Sequence, residues 1–264
     1  RNNMKKTIFF DVDNTLVCRE KNVICDYTIK AINLCKNNGI DVAIATGRSL
    51  AMVKQENFYK MFNTIVSANG SLITVNNNII YKKFMNKKMV ENIVKYFEEN
   101  NIPYCLHLFD KSIGKTESKW IKDFSEKYNM KIDKIEDQIV NNICEYEVFQ
   151  LNANISKKDI NELKNKYGIF KFVKLIDIND GYDIFNGECS KGSAIRYIRS
   201  ISKDKNVKYF AFGDGFNDLE MFEEVDFGVA MGNGCKELKE RANLVTDDIN
   251  QRGVYNALKT LKII

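Results

Sequence analysis

Short apolar runs recur in the first and last thirds of the chain, and polar or glycine-containing sequence follows each of them directly. Within each run the hydrophobicity is continuous rather than alternating, which is typical of strands buried on both faces of a parallel sheet. The pattern therefore predicts buried strands at residues 7–10, 41–45, 64–68, 207–212 and 227–230.

Amphipathic helical stretches lie between these runs. Residues 27–37 carry one apolar stripe, and the Asn38-Gly39 pair that follows is a natural helix stop. Residues 193–201 and 218–224 show the same pattern. This alternation of strands and helices predicts the α/β class, with a doubly wound, Rossmann-like parallel sheet. In such sheets the ligand binds beyond the carboxyl ends of the strands.

The middle third of the chain has a different pattern, with longer helices and strands that do not alternate one for one. It predicts helices at residues 85–100, 118–128 and 156–167. It predicts strands at residues 103–109, near 113, and at 146–154, 170–176 and 182–185. We therefore predict two domains. Residues 1–81 and 189–264 form the α/β core domain, and residues 82–188 form an inserted α+β cap domain.

Composition limits the classes of function. The 264 residues carry a net charge of +5, and the basic residues are spread along the chain rather than gathered into the stripe or arm of a nucleic-acid binder. No apolar stretch reaches the roughly 20 residues of a membrane helix, so we expect a cytoplasmic protein without a membrane partner. The seven cysteines include no Cys-x-x-Cys pair, which argues against disulfides and structural zinc. Nothing in the sequence indicates an obligate protein partner.

Carboxylates cluster where two of the predicted strands end. Asp11 and Asp13 follow the first strand and project to the same side of an extended segment. Asp214 and Asp218 follow the strand at 207–212. An Asp- and Asn-rich turn is the alternative explanation of the first pair. Four converging carboxylates repel one another, and a hard divalent cation such as Mg²⁺ would relieve that repulsion.

Phosphate-binding groups lie at the same predicted edge. Thr46 offers a hydroxyl group and Lys191 offers a cation. Ser190 is a good N-cap residue, so Lys191 is predicted to begin a helix whose amino end favours an anion.

Four segments together resemble the motifs of the haloacid dehalogenase-like superfamily. Their order, with a large α/β insertion between the second and the third, resembles the Cof-type phosphatase branch. The segments are Asp11-Val-Asp13-Asn-Thr-Leu, Ala45-Thr46-Gly-Arg48, Ser190-Lys191-Gly192 and Gly213-Asp214-Gly-Phe-Asn217-Asp218. The resemblance implies a Mg²⁺-dependent phosphatase that acts on a small phosphomonoester, a sugar phosphate or a related metabolite.

The resemblance also implies a role for each motif residue. Asp11 would be the nucleophile that forms an aspartyl-phosphate, and Asp13 would be the general acid and base. Thr46 and Lys191 would hold the transferring phosphoryl group. The implied metal ligands are Asp11, the backbone carbonyl of Asp13, Asp214 and, in an orienting role, Asp218. Asn217 would contact phosphate or substrate. Arg48 and Asn69 lie at the same predicted edge; they are expected to touch substrate, and the alternative is that either of them braces the loops.

Other interpretations stay open at this point. A phosphomutase of the same superfamily would need a second phosphate site in the insertion, and no clear arginine cluster is present there. A catalytically inactive regulator that binds a phosphorylated metabolite is disfavoured, because every expected catalytic position is filled. Asn14 stands where the Cof-type pattern usually has glycine, and asparagine is well suited to a left-handed backbone. His107 is expected to be packed or exposed rather than to face substrate.

Overall fold

The computed structural model describes residues 5–18 and 23–264, and these form two compact units. The first unit lies within Arg1–Gly47, Lys60–Ile80 and Ser190–Ile264. The second comprises Arg48–Tyr59 and Tyr81–Cys189. Residues 48–59 therefore group with the second unit although they precede the insertion expected from the sequence. The domain limits at 82 and 188 stay a prediction.

Strands and helices alternate from α7 to α10 of the first unit, whereas the earlier part of that unit and the second unit have less regular connections. In chain order the strands are β1 Lys6–Phe10, β2 Val17–Cys18, β3 Val23–Ile24, β4 Asp41–Ala45, β5 Thr64–Ser67, β6 Leu72–Val75, β7 Asn78–Lys82, β8 Tyr104–His107, β9 Ser112–Gly114, β10 Asp133–Lys134, β11 Gln150–Asn154, β12 Phe170–Lys174, β13 Gly181–Asn186, β14 Lys208–Gly213, β15 Phe227–Ala230 and β16 Leu244–Val245.

The α-helices range from single turns to more than three turns. They are α1 Asp26–Asn37, α2 Leu50–Val53, α3 Lys87–Glu99, α4 Lys119–Lys127, α5 Asp137–Asn141, α6 Lys157–Lys166, α7 Lys191–Ile201, α8 Leu219–Glu224, α9 Lys236–Arg241 and α10 Gly253–Thr260. No described helix is both long enough and apolar enough to cross a membrane.

The sheet of the first unit has β1 near its centre. Its described strands are ordered β16-β15-β14-β1-β4-β5-β6-β7. Strand β1 pairs in parallel with β14 on one side and β4 on the other, with Phe10 opposite both Phe212 and Ile44. The side chains of Ile8, Phe9 and Phe10 are fully buried, as continuous hydrophobicity predicts for a strand covered on both faces. The prediction of a doubly wound α/β fold is confirmed.

One edge of this sheet departs from the parallel pattern. Strand β6 runs antiparallel to β5, with Val66 opposite Ile73, and β7 follows it at the edge. Neither strand was predicted from the hydrophobic pattern. A pair of asparagines, Asn76 and Asn77, makes the intervening turn with φ angles of 49° and 64°. Asparagine tolerates this left-handed backbone, which such tight hairpin turns require.

The second unit contains a mixed sheet whose described strands are ordered β10-β9-β8-β11-β13-β12. Leu106, Leu151 and Ile184 lie opposite one another on one face and are fully buried. They pack in one apolar cluster with residues of helices α3 and α6, among them Ile93, Phe97 and Leu163. The α+β character expected for the middle third is thus present, although β11 begins at Gln150 rather than at residue 146.

Candidate active site

The candidate nucleophile lies at a topological switch point of the first unit. Strand β4 pairs with one edge of β1. Strand β14, which comes much later in the chain, pairs with the other edge. The Asp11 amide donates to the Phe212 carbonyl oxygen at 2.9 Å, which continues the pairing with β14 beyond the end of β1. Crevices at such points are where ligands bind in doubly wound sheets.

Lys191 joins two carboxylates in the interior. Its Nζ lies 2.6 Å from Asp11 Oδ1 and 2.7 Å from Asp218 Oδ1, and its side chain is fully buried. It is the first residue of α7, whose start is fixed by a capping box between Ser190 and Ser193. Burial alone would lower the pKa of Lys191, but the charges of Asp11 and Asp218 outweigh it and raise that pKa. Lys191 therefore stays a cation.

Asp218 uses both of its carboxylate oxygens within the protein. Oδ1 accepts from Lys191, and Oδ2 accepts from the backbone amides of Asp214 and Gly215 at 2.9 and 3.0 Å. The side chain is fully buried. This geometry lets Asp218 hold both the lysine and the loop that carries Asp214. The orienting role implied for it at a metal ion stays a prediction.

Asp214 has a partner that the sequence analysis did not identify. The Thr15 hydroxyl donates to Asp214 Oδ1 at 3.3 Å, and Thr15 is fully buried. The two residues are far apart in sequence, and only the pairing of β1 with β14 brings them together. Thr15 lies in the first motif, so its position was the available clue to this role.

Three carboxylates in the described structure could hold one metal ion. Oxygen atoms of Asp11, Asp214 and Asp218 lie within 4.8 Å of one another. Burial, together with the charges of Asp218 and Asp13, raises the pKa of Asp11 to about 6 despite the opposing charge of Lys191. Burial and the charges of Asp11 and Asp218 raise the pKa of Asp214 to about 8. An oxygen-only donor set, with repulsion that Lys191 offsets only in part, fits a hard divalent cation such as Mg²⁺.

Asp13 and Asn14 form the turn after β1. Asp13 is half-buried and lies outside the carboxylate cluster, so the assignment of its backbone carbonyl as a ligand stays a prediction. Asn14 has a φ angle of 61°, a left-handed backbone of the kind that asparagine tolerates. Its carbonyl oxygen accepts from Asn233 Nδ2 at 2.9 Å, which ties the turn to the loop after β15.

Thr46, Asn69 and Asn217 lie in the first unit and are connected. Thr46 is fully buried, and its carbonyl oxygen accepts from the Asn69 amide at 3.1 Å. Asn217 Nδ2 donates to Asn69 Oδ1 at 3.5 Å. The structure thus brings these three predicted residues together, and their contacts with substrate stay a prediction.

Arg48 belongs to the second unit. It is buried and forms an ion pair with Glu56 of the same segment. The structure therefore gives Arg48 a protein partner, and the substrate contact implied for it remains a prediction.

His107 is fully buried in a polar network of the second unit, as a packed residue rather than an exposed one. Its Nε2 lies 2.6 Å from Asn152 Oδ1, and its Nδ1 lies 2.8 Å from Ser112 Oγ and 3.2 Å from Ser49 Oγ. Asn152 Nδ2 in turn donates to Asp183 Oδ1 at 3.4 Å. An Nε2–H tautomer donates to Asn152 Oδ1 and accepts a serine hydroxyl at Nδ1, so a neutral ring suits these partners.

A family profile described as haloacid dehalogenase-like hydrolase matches residues 8–258. This chain belongs to the haloacid dehalogenase-like hydrolases. The resemblance that the sequence analysis drew from four short motifs is therefore confirmed over nearly the whole chain.

Relatives of this haloacid dehalogenase-like hydrolase match it from end to end. The Bacillus subtilis protein named "Putative phosphatase YkrA" is 30% identical, with 98% of each chain covered. The B. subtilis 5-amino-6-(5-phospho-D-ribitylamino)uracil phosphatase YcsE is 25% identical, with 96% of this chain and 94% of the relative covered. The predicted enzyme class, a phosphoric monoester hydrolase of this superfamily, is confirmed.

Solved structures agree in fold. A hypothetical protein from Geobacillus kaustophilus superposes with a TM-score of 0.86 at 28% identity, covering 98% of this chain and 100% of that one. The subclass IIB sugar phosphatase BT4131 has a TM-score of 0.82 at 24% identity, with 98% and 100% covered. The second likeness shows the fold alone, and it agrees with the predicted α/β class.

Proposed function

We propose that this chain is a Mg²⁺-dependent phosphatase that hydrolyses a small phosphomonoester, a sugar phosphate or a related metabolite, through an aspartyl-phosphate on Asp11. The observation that carries the proposal is the buried constellation around that residue. Lys191 lies 2.6 Å from Asp11, and oxygens of Asp214 and Asp218 lie within 4.8 Å of it and of one another. The phosphatase names of the full-length relatives support the same reaction.

The first step of the proposed reaction is phosphoryl transfer to the enzyme. A carboxylate oxygen of Asp11 forms a bond to phosphorus while the bond from phosphorus to the leaving oxygen breaks. Asp13 gives its proton to that leaving oxygen, so an alcohol departs. Lys191 and the Thr46 hydroxyl are proposed to hold the phosphoryl oxygens, and Arg48 and Asn217 to contact substrate.

The second step returns the enzyme to its starting state. Asp13, now a carboxylate, takes a proton from water, whose oxygen bonds to phosphorus as the bond to Asp11 breaks. Inorganic phosphate leaves, and Asp13 is again protonated. Asp11, Asp214 and the carbonyl of Asp13 would hold Mg²⁺, with Asp218 orienting that set. When bound, the cation would supply positive charge that offsets the carboxylate repulsion and the charge of the phosphoryl group.

A chromogenic aryl phosphate tests the proposal. We expect Mg²⁺-dependent hydrolysis that a chelator abolishes, a loss of at least about 10³-fold in kcat for Asp11→Asn, and a loss of about 10²–10⁴-fold for Asp13→Asn. Rapid acid quenching followed by mass spectrometry should locate the phosphoryl group on Asp11. Hydrolysis that persists undiminished in Asp11→Asn would refute the covalent mechanism. Binding of phosphate without any turnover would instead support an inactive regulator.

The substrate class is tested by a panel of phosphorylated metabolites. The name of YcsE specifies a phosphomonoester on a small polyol-bearing molecule, which is the kind of substrate proposed here. We expect kcat/KM to be higher for at least one sugar or polyol phosphate than for the aryl phosphate. A preference for phosphoproteins or nucleic-acid ends over every small metabolite would overturn this assignment.

A further inference from the structure

Three consecutive residues between β5 and β6 adopt positive φ angles. The angles are 47° at Ala68, 51° at Asn69 and 89° at Gly70, and all three residues are buried. Glycine adopts this backbone readily and asparagine tolerates it. For alanine the backbone is energetically unfavourable, because the β-carbon comes too close to the following carbonyl oxygen. Strained residues of this kind persist only where the surroundings hold them, and they concentrate at functional sites.

One side of this left-handed turn holds the loop after β4. The Asn69 amide donates to the Thr46 carbonyl oxygen at 3.1 Å, and the Thr46 amide donates to the Val66 carbonyl oxygen at 2.9 Å. The Asn69 carboxamide lies against Gly47, where a β-carbon would be only 3.2 Å from Oδ1. The position of the Thr46 loop therefore depends on the backbone and the side chain of Asn69.

The other side of the turn lies on the start of helix α7. A β-carbon at Gly70 would be 2.1 Å from the Ser190 carbonyl oxygen and 3.3 Å from the Ala194 β-carbon. Ser190 is the N-cap of the helix, and Lys191 is its first residue. Only a residue without a side chain allows the turn to approach the helix this closely.

A third contact reaches the loop that follows β14. Asn217 Nδ2 donates to Asn69 Oδ1 at 3.5 Å, so the Asn69 side chain lies between Gly47 and Asn217. The side chain is almost fully buried. Its surroundings are thus largely protein groups from the segments that carry the candidate catalytic residues.

We propose that the left-handed turn Ala68–Asn69–Gly70 is a positioning element for the proposed reaction, and that Asn69 acts through it rather than by contacting substrate. The turn sets the spacing between the Thr46 loop and the amino end of α7, and so between the two groups proposed to hold the phosphoryl oxygens. This inference rests on the proposed function, because it assigns a role to residues of the same site.

Asn69→Gly tests the side chain without adding strain, because glycine accepts the same φ angle. Asn76→Gly is the matched control, since Asn76 is an exposed asparagine with a φ angle of 49° in the same unit. We expect Asn69→Gly to lower kcat at least tenfold with a change in KM below about threefold. Asn76→Gly should keep the kcat of the parent protein.

Gly70→Ala tests the approach to α7, and Gly39→Ala is its control. Gly39 has a similar φ angle of 72°, but a β-carbon there would meet no atom within 4 Å. Both variants carry the same backbone penalty, and only Gly70→Ala should lose kcat. If Gly70→Ala fails to fold, the comparison of Asn69→Gly with Asn76→Gly decides the question.

Two leaving groups separate positioning from substrate contact. A positioning role lowers kcat by the same factor for an aryl phosphate and for acetyl phosphate, whereas a contact with the leaving group gives unequal factors. Unequal factors, a pure rise in KM, or unchanged kcat in both turn variants would overturn the inference. If the parent protein shows no Mg²⁺-dependent hydrolysis, the proposed function itself fails, which is a separate outcome.

Discussion

Asp214 and Asp218 are both acidic residues of one motif, yet their surroundings differ. Asp214 is only partly buried, receives one long hydrogen bond from Thr15 and is repelled by Asp11 and Asp218. Asp218 is fully buried and accepts from Lys191 and two backbone amides. A single neutralising substitution should therefore have opposite effects on stability at the two positions.

Above about pH 8, where Asp214 of the metal-free protein is ionised, we expect Asp214→Asn to keep or raise the free energy of unfolding, because it removes a repelled charge, while phosphatase activity is lost. Asp218→Asn should lower that free energy by about 3 kcal/mol, because an amide cannot satisfy Lys191 and both backbone amides at once. Urea unfolding in the presence of a chelator measures both changes. Equal destabilisation of the two variants would contradict the roles assigned to them.

Among the helices and strands, those marked by a local pattern of apolar residues were predicted from the sequence. Continuous apolar runs located β1, β4, β5, β14 and β15, because burial on both faces leaves a direct mark on composition. The β6–β7 hairpin was not predicted, since its Asn76-Asn77 turn lacks the glycine that usually marks such turns. The carboxylates, Thr46 and Lys191 were found from their positions at or near the predicted sheet edge, and their individual roles through resemblance. The Thr15–Asp214 contact and the turn at Ala68–Gly70 depend on tertiary packing and leave no local pattern.

One face of the sheet in the second unit carries two buried groups with opposite pKa shifts. Burial lowers the pKa of His107 to about 4, against a hydrogen bond to Asn152 that acts in the other direction. Burial raises the pKa of Asp183 to about 7, although Gln150, Ile184 and Asn152 donate hydrogen bonds to it. Asn152 lies between the two side chains and bonds to both.

These shifts have opposite consequences for stability. Between about pH 4 and 6.5 the unfolded chain has a protonated His107 and the folded chain does not, so this group makes the free energy of unfolding rise with pH. Between about pH 4 and 7 the folded chain keeps a proton on Asp183 that the unfolded chain has lost. This group therefore makes the free energy of unfolding fall as the pH rises. In the shared window the two contributions cancel.

Removing either side chain should reveal the pH dependence of stability that the other side chain causes. Relative to the parent protein, His107→Asn should give a free energy of unfolding that falls by about 1.4 kcal/mol per pH unit between pH 4.5 and 6.5. Relative to the parent protein, Asp183→Asn should give a free energy of unfolding that rises with pH at a similar rate. Urea unfolding at several pH values measures the slopes, and titrations common to all three proteins cancel in the differences. Parallel pH profiles for the three proteins would show that neither shift is present.

For the whole molecule, binding of a metal ion should raise the free energy of unfolding. A cation that binds only the folded chain stabilises it by about 2.7 kcal/mol at a hundredfold excess over its dissociation constant. We therefore expect Mg²⁺ to raise the melting temperature of the parent protein by about 5–10 °C at that excess. Asp214→Asn should lose most of this increase. An equal increase in both proteins would place the stabilising metal elsewhere.

The switch-point position of β1 also has a consequence for synthesis on the ribosome. Lys191 follows Asp11 by 180 residues, and Asp214 follows Thr15 by 199. At roughly 5–20 residues per second, the nascent chain carries an unpaired edge of β1 for roughly 10–40 s before β14 exists. During translation this apolar edge, which in the finished protein lies against Phe212, is where we expect a chaperone to engage the chain.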